Sequence, residues 1–231
     1  MAATRAEHSR PSEAIENYAK AIYALQQRSG GAVTNNALAE RMNVTPASAS
    51  SMVKKLDELG LVRHVPYKGM KLTASGRRVA LEVLRHHRLL ELYLAESLGV
   101  PWDRVHDEAE VLEHVLSEEL EALIAAKLGN PTRDPHGDPI PSPDLEIEEG
   151  QTECLAELEQ GARGVFVRVS DSDPSMLRYL AELGITPGER FEIVDRQPFG
   201  GPLYARFDGQ VHVLGGDLAA AMRVEIDSAP G

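Results

Sequence analysis

Apolar side chains recur at helical spacing near the start of the chain. Ile15, Tyr18, Ala19, Ile22, Tyr23 and Leu25 share one face, predicting an amphipathic helix that opens near Ser12 and stops before Ser29-Gly30-Gly31. Thr34 or Asn35 then caps a short helix, Asn43-Val44 turns the chain, and Thr45 caps a second helix with Pro46 in its first turn. Met52, Val53 and Leu56 give that helix its buried face, and Gly60 ends it. Leu61 to Val65 and Met70 to Thr73 alternate as strands around the turn Pro66-Tyr67-Lys68-Gly69. Helix, turn, helix and hairpin make a winged helix-turn-helix over 1–76. The polar first eleven residues predict a mobile arm.

The pattern then changes twice. Over 77–143 it is helical: one long helix from about Arg77 to Leu98, a break at Gly99-Val100-Pro101, and a helix capped by Asp103 that runs through Glu113-His114. The stretch from Glu118 to Leu128 either continues that helix or forms another. Leu84, Leu89, Leu92, Val111, Leu112, Val115 and Leu116 form a broad apolar face, which places these helices inside an assembly. A proline-rich linker follows, Arg133-Asp134-Pro135-His136-Gly137-Asp138-Pro139-Ile140-Pro141, and must cross a surface in extended or turned form. Over 144–231 five short strands and a helix from Pro174 to Leu183 predict an SH3-like β-barrel. The fold class is therefore α+β and multidomain.

Charge sharpens the division. The net charge of -12 argues against nucleic acid only until it is mapped. Residues 1–78 carry 12 Lys and Arg against 6 Asp and Glu, a balance of +6, which leaves -18 on the remainder. A basic winged helix on an acidic body fits double-stranded DNA. Thr45, Ala47, Ser48, Ser50 and Ser51 present small groups at the start of the second helix, suited to close approach in the major groove. Lys54, Lys55, Arg63, Lys68 and Lys71 surround them as phosphate contacts. The lone Cys154 allows no intramolecular disulfide, and no run of eighteen apolar residues is present, so the expectation is a cytoplasmic protein without membrane contact.

Candidate chemistry lies between residues 86 and 114. His87 and Glu91 are four apart, and His106, Glu110, Glu113 and His114 follow at 0, 4, 7 and 8, one helical face in each case. Imidazole and carboxylate without thiolate suit Mn²⁺, Fe²⁺, Co²⁺ or Zn²⁺. Glu and His on one stripe also occur on plain solvated helices, but the flanking apolar face favours a site. Asp134 and His136, two apart on the linker, can face one ion, although the same run also reads as a rigid spacer. A metallohydrolase, with Glu108 as general base, is the rival reading; it leaves the basic winged helix without a purpose.

With these parts in order, the chain resembles the diphtheria toxin repressor family of metal-dependent transcriptional regulators, and within it the manganese-responsive branch. The resemblance rests on His-Arg-Leu-Leu-Glu at 87–91, Val-His-Asp-Glu-Ala-Glu-Val-Leu-Glu-His at 105–114, the Asp-Pro-His-Gly-Asp-Pro-Ile-Pro linker and the C-terminal module of the FeoA type. It implies a regulatory metal site at Asn17, Glu110, Glu113 and His114. It implies a second site at His87, Glu91 and His106, completed by Asp134, His136 and Asp171. Asn17 stands where manganese regulators usually carry Asp and iron regulators Met, so the site keeps an amide oxygen and loses one charge. Asp134 stands where some relatives have Cys. Iron-type relatives carry Cys at the position of Glu110, and a carboxylate there favours Mn²⁺ as the cofactor, with Fe²⁺, Co²⁺ or Zn²⁺ able to bind in vitro. The implied function is a manganese-dependent repressor of metal-transport genes, acting as a homodimer on a palindromic operator. The iron-dependent repressor is the alternative.

Overall fold

The computed structural model describes residues 11–65, 67–198 and 201–227; the expected arm over residues 1–10 and Pro66 of the expected turn lie outside them. The chain divides into two compact units, residues 1–85 with 143–145, and residues 86–142 with 146–231.

In the first unit α1 (Glu13–Ser29) begins without a side-chain cap from Ser12. It packs through Ile15, Tyr18 and Ile22 against Leu38, Val53 and Leu56. Thr34 caps α2 (Asn35–Arg41) by accepting from the Ala37 N–H, and Thr45 caps α3 (Pro46–Glu58) from the Ser48 N–H. These caps satisfy donors that each helix leaves open. The wing is an antiparallel hairpin, β1 (Val62–Val65) with β2 (Gly69–Leu72). Val33 and Met70 exchange two backbone hydrogen bonds of 2.8 Å, which draws Gly69 against Val33. Gly69 has φ +113°, and a Cβ there would sit 2.0 Å from the Val33 carbonyl oxygen, so only glycine fits.

Helix α4 (Ala74–Leu98) starts three residues earlier than its apolar period suggests. Helix α5 (Val105–Leu112) is shorter than expected: Glu113 and His114 lie in the turn beyond it. Asp103 does not cap α5; its carboxylate pairs with Arg178 Nη1 at 3.1 Å. Ser117 caps a separate α6 (Glu118–Lys127). Leu89, Leu92 and Leu116 are buried as expected, whereas Val111, Leu112 and Val115 stay exposed on the single chain.

The C-terminal part is a six-stranded antiparallel sheet in the order β3-β8-β4-β5-β6-β7. Its strands are β3 (Glu153–Cys154), β4 (Arg163–Val169), β5 (Arg190–Arg196), β6 (Leu203–Phe207), β7 (Gln210–Leu214) and β8 (Met222–Ile226). Two-residue β3 has no period to read and was not foreseen; β4 to β8 are the five expected strands. The sheet closes around Phe166, Phe191 and Phe207, with α7 (Pro174–Leu183) and α8 (Gly216–Ala221) contributing Leu177, Leu180 and Leu218.

The linker corrects the surface-crossing expectation. It folds into a tight loop in which Asp134, His136 and Ile140 are buried. The His136 carbonyl accepts from Val169 N at 2.9 Å, joining the loop to β4. Gly137 at φ +87° lies so close to β4 that a Cβ would be 1.8 Å from the Val167 oxygen.

Candidate metal centre and DNA-facing helix

All six residues expected at the second site converge. Helix α4 supplies His87 and Glu91 one turn apart, α5 supplies His106, the linker loop Asp134 and His136, and the turn after β4 Asp171. His87, Glu91, His106 and Asp171 each offer an atom to one group, and Glu91, Asp134 and His136 to another, so Glu91 belongs to both. Glu91 Oε1 is 3.0 Å from His87 Nε2 and 3.3 Å from His106 Nδ1. His106 Nδ1 is also 3.2 Å from Asp171 Oδ2.

The donor chemistry suits a divalent cation. His136 Nε2 donates to the Trp102 carbonyl at 2.7 Å, so its Nδ1 carries a lone pair. That Nδ1 is buried with no hydrogen-bond partner and lies 3.9 Å from Glu91 Oε2. Burial works to raise the Glu91 carboxyl, but hydrogen bonds from His106 and His87 outweigh it and hold it well below the usual carboxylate range. Asp171 is lowered as well: burial works against ionisation and its hydrogen bond with His106 overcomes it. The same bond, with that to Glu91, raises His106 to about 10. Asp134 is pushed well above its ordinary value, mainly by burial and then by the charges of Asp138 and Glu91. Such a cluster is held together by protons that a cation can displace.

The residues of the second unit expected at the regulatory site also assemble. Glu113 is fully buried, with Oε2 2.5 Å from His87 Nδ1 and Oε1 3.3 Å from His114 Nε2. Glu110 Oε1 is 3.9 Å from His87 Nδ1, and these three residues form a further ligand group. Asn17 lies on α1 in the first unit, and its Oδ1 is buried without a hydrogen-bond partner. A buried amide oxygen left unsatisfied is costly, which is what a cation ligand resolves.

Three contributors escaped the sequence reading. Arg88 donates to the Pro139 carbonyl and, through Nη2, to Asp138 Oδ1 at 3.3 Å; Arg168 reaches the same oxygen at 3.3 Å. Trp102 stacks on His136 with centroids 5.7 Å apart. The Asp134–Asp138 pair beside an arginine-flanked histidine was the available signal. His86 is a fourth addition: its Nδ1 lies 3.1 Å from the Glu113 carbonyl and its Nε2 3.1 Å from Glu121 Oε2. Glu108, the base required by the hydrolase reading, is exposed and belongs to none of the ligand groups among the described residues.

On α3, Thr45, Ala47, Ser48, Ser50, Ser51, Lys54 and Lys55 are all exposed, as are Arg63 and Lys68 on the wing; Lys71 is half-buried. Three hydroxyls are partly committed within the fold: Thr45 to its cap and, at 2.9 Å, to the Ser48 hydroxyl, and Ser50 to Asn35 Nδ2 at 2.9 Å.

A winged helix joined to clustered carboxylates and imidazoles defines a metal-responsive DNA-binding protein. Residues 11–70 match the iron dependent repressor N-terminal DNA binding domain, 73–142 the iron dependent repressor metal binding and dimerisation domain, and 154–226 the FeoA domain. The iron-dependent repressor IdeR of Mycobacterium leprae is 31% identical over 226 residues, covering 92% of this chain and 97% of its own. The solved structure of a manganese-dependent transcriptional repressor complex with manganese is 44% identical, with TM-score 0.84, covering 91% of this chain and 98% of that one. The structure of ScaR with bound Zn²⁺ is 30% identical, with TM-score 0.76, covering 93% and 99%. The chain belongs to the iron-dependent repressor and diphtheria toxin repressor family of metal-dependent transcriptional repressors. No helix among the described residues is long and apolar enough to cross a membrane.

Proposed function

We propose that this repressor responds to manganese, binds a palindromic operator as a metal-activated dimer and controls metal-transport genes in the cytoplasm. The observation that carries the choice of metal is the donor set. Glu110 supplies a carboxylate, and the lone Cys154 is buried in the barrel near the Ala219 and Ala220 carbonyls, so no thiolate serves the site. Oxygen donors with few imidazoles suit hard Mn²⁺, whereas a thiolate would favour softer ions. The 44% identical manganese-dependent repressor supports the same choice.

The assignment of ligands follows the family pattern: Asn17, Glu110, Glu113 and His114 for the regulatory ion, and His87, Glu91, His106, Asp134, His136 and Asp171 for the second. When bound, the regulatory ion would supply a bond common to these ligands. The protein's own part is to bias the orientation of the DNA-binding unit, a population shift toward the operator-competent state. Val111 and Val115, 72% and 75% exposed, with Leu120 and Leu123 on α6, give the apolar face that a dimer would cover. Thr45, Ala47, Ser48, Ser50 and Ser51 face the bases, with Lys54, Lys55 and Lys68 on phosphates.

Iron is the second reading, supported by the 31% identical iron-dependent repressor. Operator retardation in gels decides between them. Mn²⁺ should retard operator DNA at free concentrations where Fe²⁺, kept anaerobic, acts weakly, and a chelator should release it. Equal retardation without metal would sink the proposal.

A further inference from the structure

One ligand group lies outside both sites assigned above. His86 on α4 and Glu118 and Glu121 on α6 each offer one atom, and the three atoms lie within 4.8 Å of one another. His86 Nε2 is 3.1 Å from Glu121 Oε2 and 3.9 Å from Glu118 Oε1. His86 and Glu121 are buried, whereas the Glu118 side chain is 70% exposed, so the group opens to solvent on one side. Successive residues of a helix point roughly 100° apart, which is how neighbouring His86 and His87 serve different groups. Glu118 and Glu121, three apart, share a face of α6.

We propose that His86, Glu118 and Glu121 bind a further divalent transition-metal ion, which fastens the start of α6 to α4. The ring is already oriented for this. Its Nδ1 lies 3.1 Å from the Glu113 carbonyl, which only accepts, and this turns Nε2 toward the two carboxylates. A backbone carbonyl behind the ring is a common way of orienting a ligating histidine. Acidic residues in the first turn of α6 also complement the helix dipole, and Glu119 is one of them. That explanation requires neither burial nor a histidine. It does not account for Glu121 lying in the interior against an imidazole, with Glu118 near the same nitrogen. One imidazole and two carboxylates, with water in the open positions, suit Zn²⁺, Co²⁺ or Mn²⁺, and Mn²⁺ is the weakest binder of the three. No side chain assigned to the other two sites takes part, since Glu113 lends only its backbone, so this site does not depend on which metal those sites prefer.

The test uses the full chain and Co²⁺ alone, with bound ions counted by equilibrium dialysis. Glu118→Gln alters an exposed side chain and should weaken one ion by at least about tenfold, since even a supporting partner behind a ligand is worth that much. At free Co²⁺ that just saturates the parent, the variant should therefore hold about one ion fewer per chain. Glu119→Gln removes the same charge from the same turn and should cost no ion. Equal binding by Glu118→Gln and the parent would overturn the proposal, and so would an equal loss in Glu119→Gln, which would mark a general acidic attraction. Proton spectra of the Co²⁺ form should show a strongly shifted imidazole N–H that disappears in His86→Gln; its persistence there would exclude His86 as a ligand. A third measurement separates a metal site from a buried ion pair. Glu110→Ala with His106→Ala removes a ligand from each of the other two sites. In that chain Co²⁺ should still slow amide exchange over residues 118–127, and exchange unchanged by Co²⁺ would reduce the cluster to an ion pair and overturn the proposal.

Discussion

Glu110 and His106 are the side chains on which the proposed function makes the choice of ion and the proton cost of binding it depend. Glu110 stands within 3.9 Å of both His87 and His106, on the border of the two ligand groups. Replacing its oxygen with a thiolate, Glu110→Cys, should move the order of activating metals toward Fe²⁺, Co²⁺ or Ni²⁺. Operator retardation across a metal series checks this, and an unchanged order would refute it. His106 carries the proton cost. Its pKa is raised from 6.5 to about 10 by Asp171 and Glu91, so the ring is charged at neutral pH. In metal-free protein the resulting stabilisation is complete below about pH 6.5 and fades as pH rises through about 10. A cation at the second site must displace that proton. Calorimetry at pH 8 in buffers of different ionisation enthalpy should therefore detect roughly one proton released per second-site ion. His106→Asn should remove that release, and an identical buffer dependence in the variant would exclude His106 as its source.

At the scale of elements, α3 offers a clean separation of roles. Lys54 and Lys55 are exposed, and Lys54 has only a long 3.8 Å contact with Glu58. Lys54→Ala and Lys55→Ala should each weaken binding to all sequences alike and reduce the salt slope by about one unit, the share of one neutralised phosphate. A changed base preference with the original slope would contradict a phosphate role. Elements with local punctuation were legible in the sequence. Helix α7 begins at Pro174 and ends before Gly184, and both bounds could be read from those residues. Thr34 and Thr45 announced α2 and α3 in the same way. Helix α5 was not legible, because no glycine or proline marks its end. Its stop coincides with a tertiary contact: the Glu113 carbonyl faces His86 Nδ1, 27 residues away in sequence. The candidate ligands were visible as residue types at helical spacing, but the contact of His87 with Glu113 depends on how α4 meets the turn after α5. Period alone contains no such information.

At the scale of the molecule, the question is what holds the barrel to the helical core within the second unit. A proline-rich linker reads as a loose connection, and then metal alone would have to order the domain. The structure divides the task. Asp138 accepts from Arg88 on α4 and from Arg168 on β4, so a charged clamp joins core and barrel without metal. The His136 carbonyl adds a backbone bond to Val169. Metal would act on top of this clamp, through Asp134 and His136 on the loop and Asp171 beyond β4. At free Mn²⁺ about 100-fold above its dissociation constant, an ion bound only to the docked state adds ~2.7 kcal/mol to it. Changing His136 and Asp171 together to Ala should remove that share and leave the clamp. We expect one fewer ion per chain, with Glu110, Glu113 and His114 still binding, and faster proteolysis within residues 142–163 in Mn²⁺. In chelator the variant should also be cut somewhat faster, because it lacks the Asp171–His106 and His136–Trp102 contacts, but the clamp is common to both and the gap between them should be widest in Mn²⁺. Parental protease resistance in Mn²⁺ with full metal occupancy would show that the second site does not fasten the barrel.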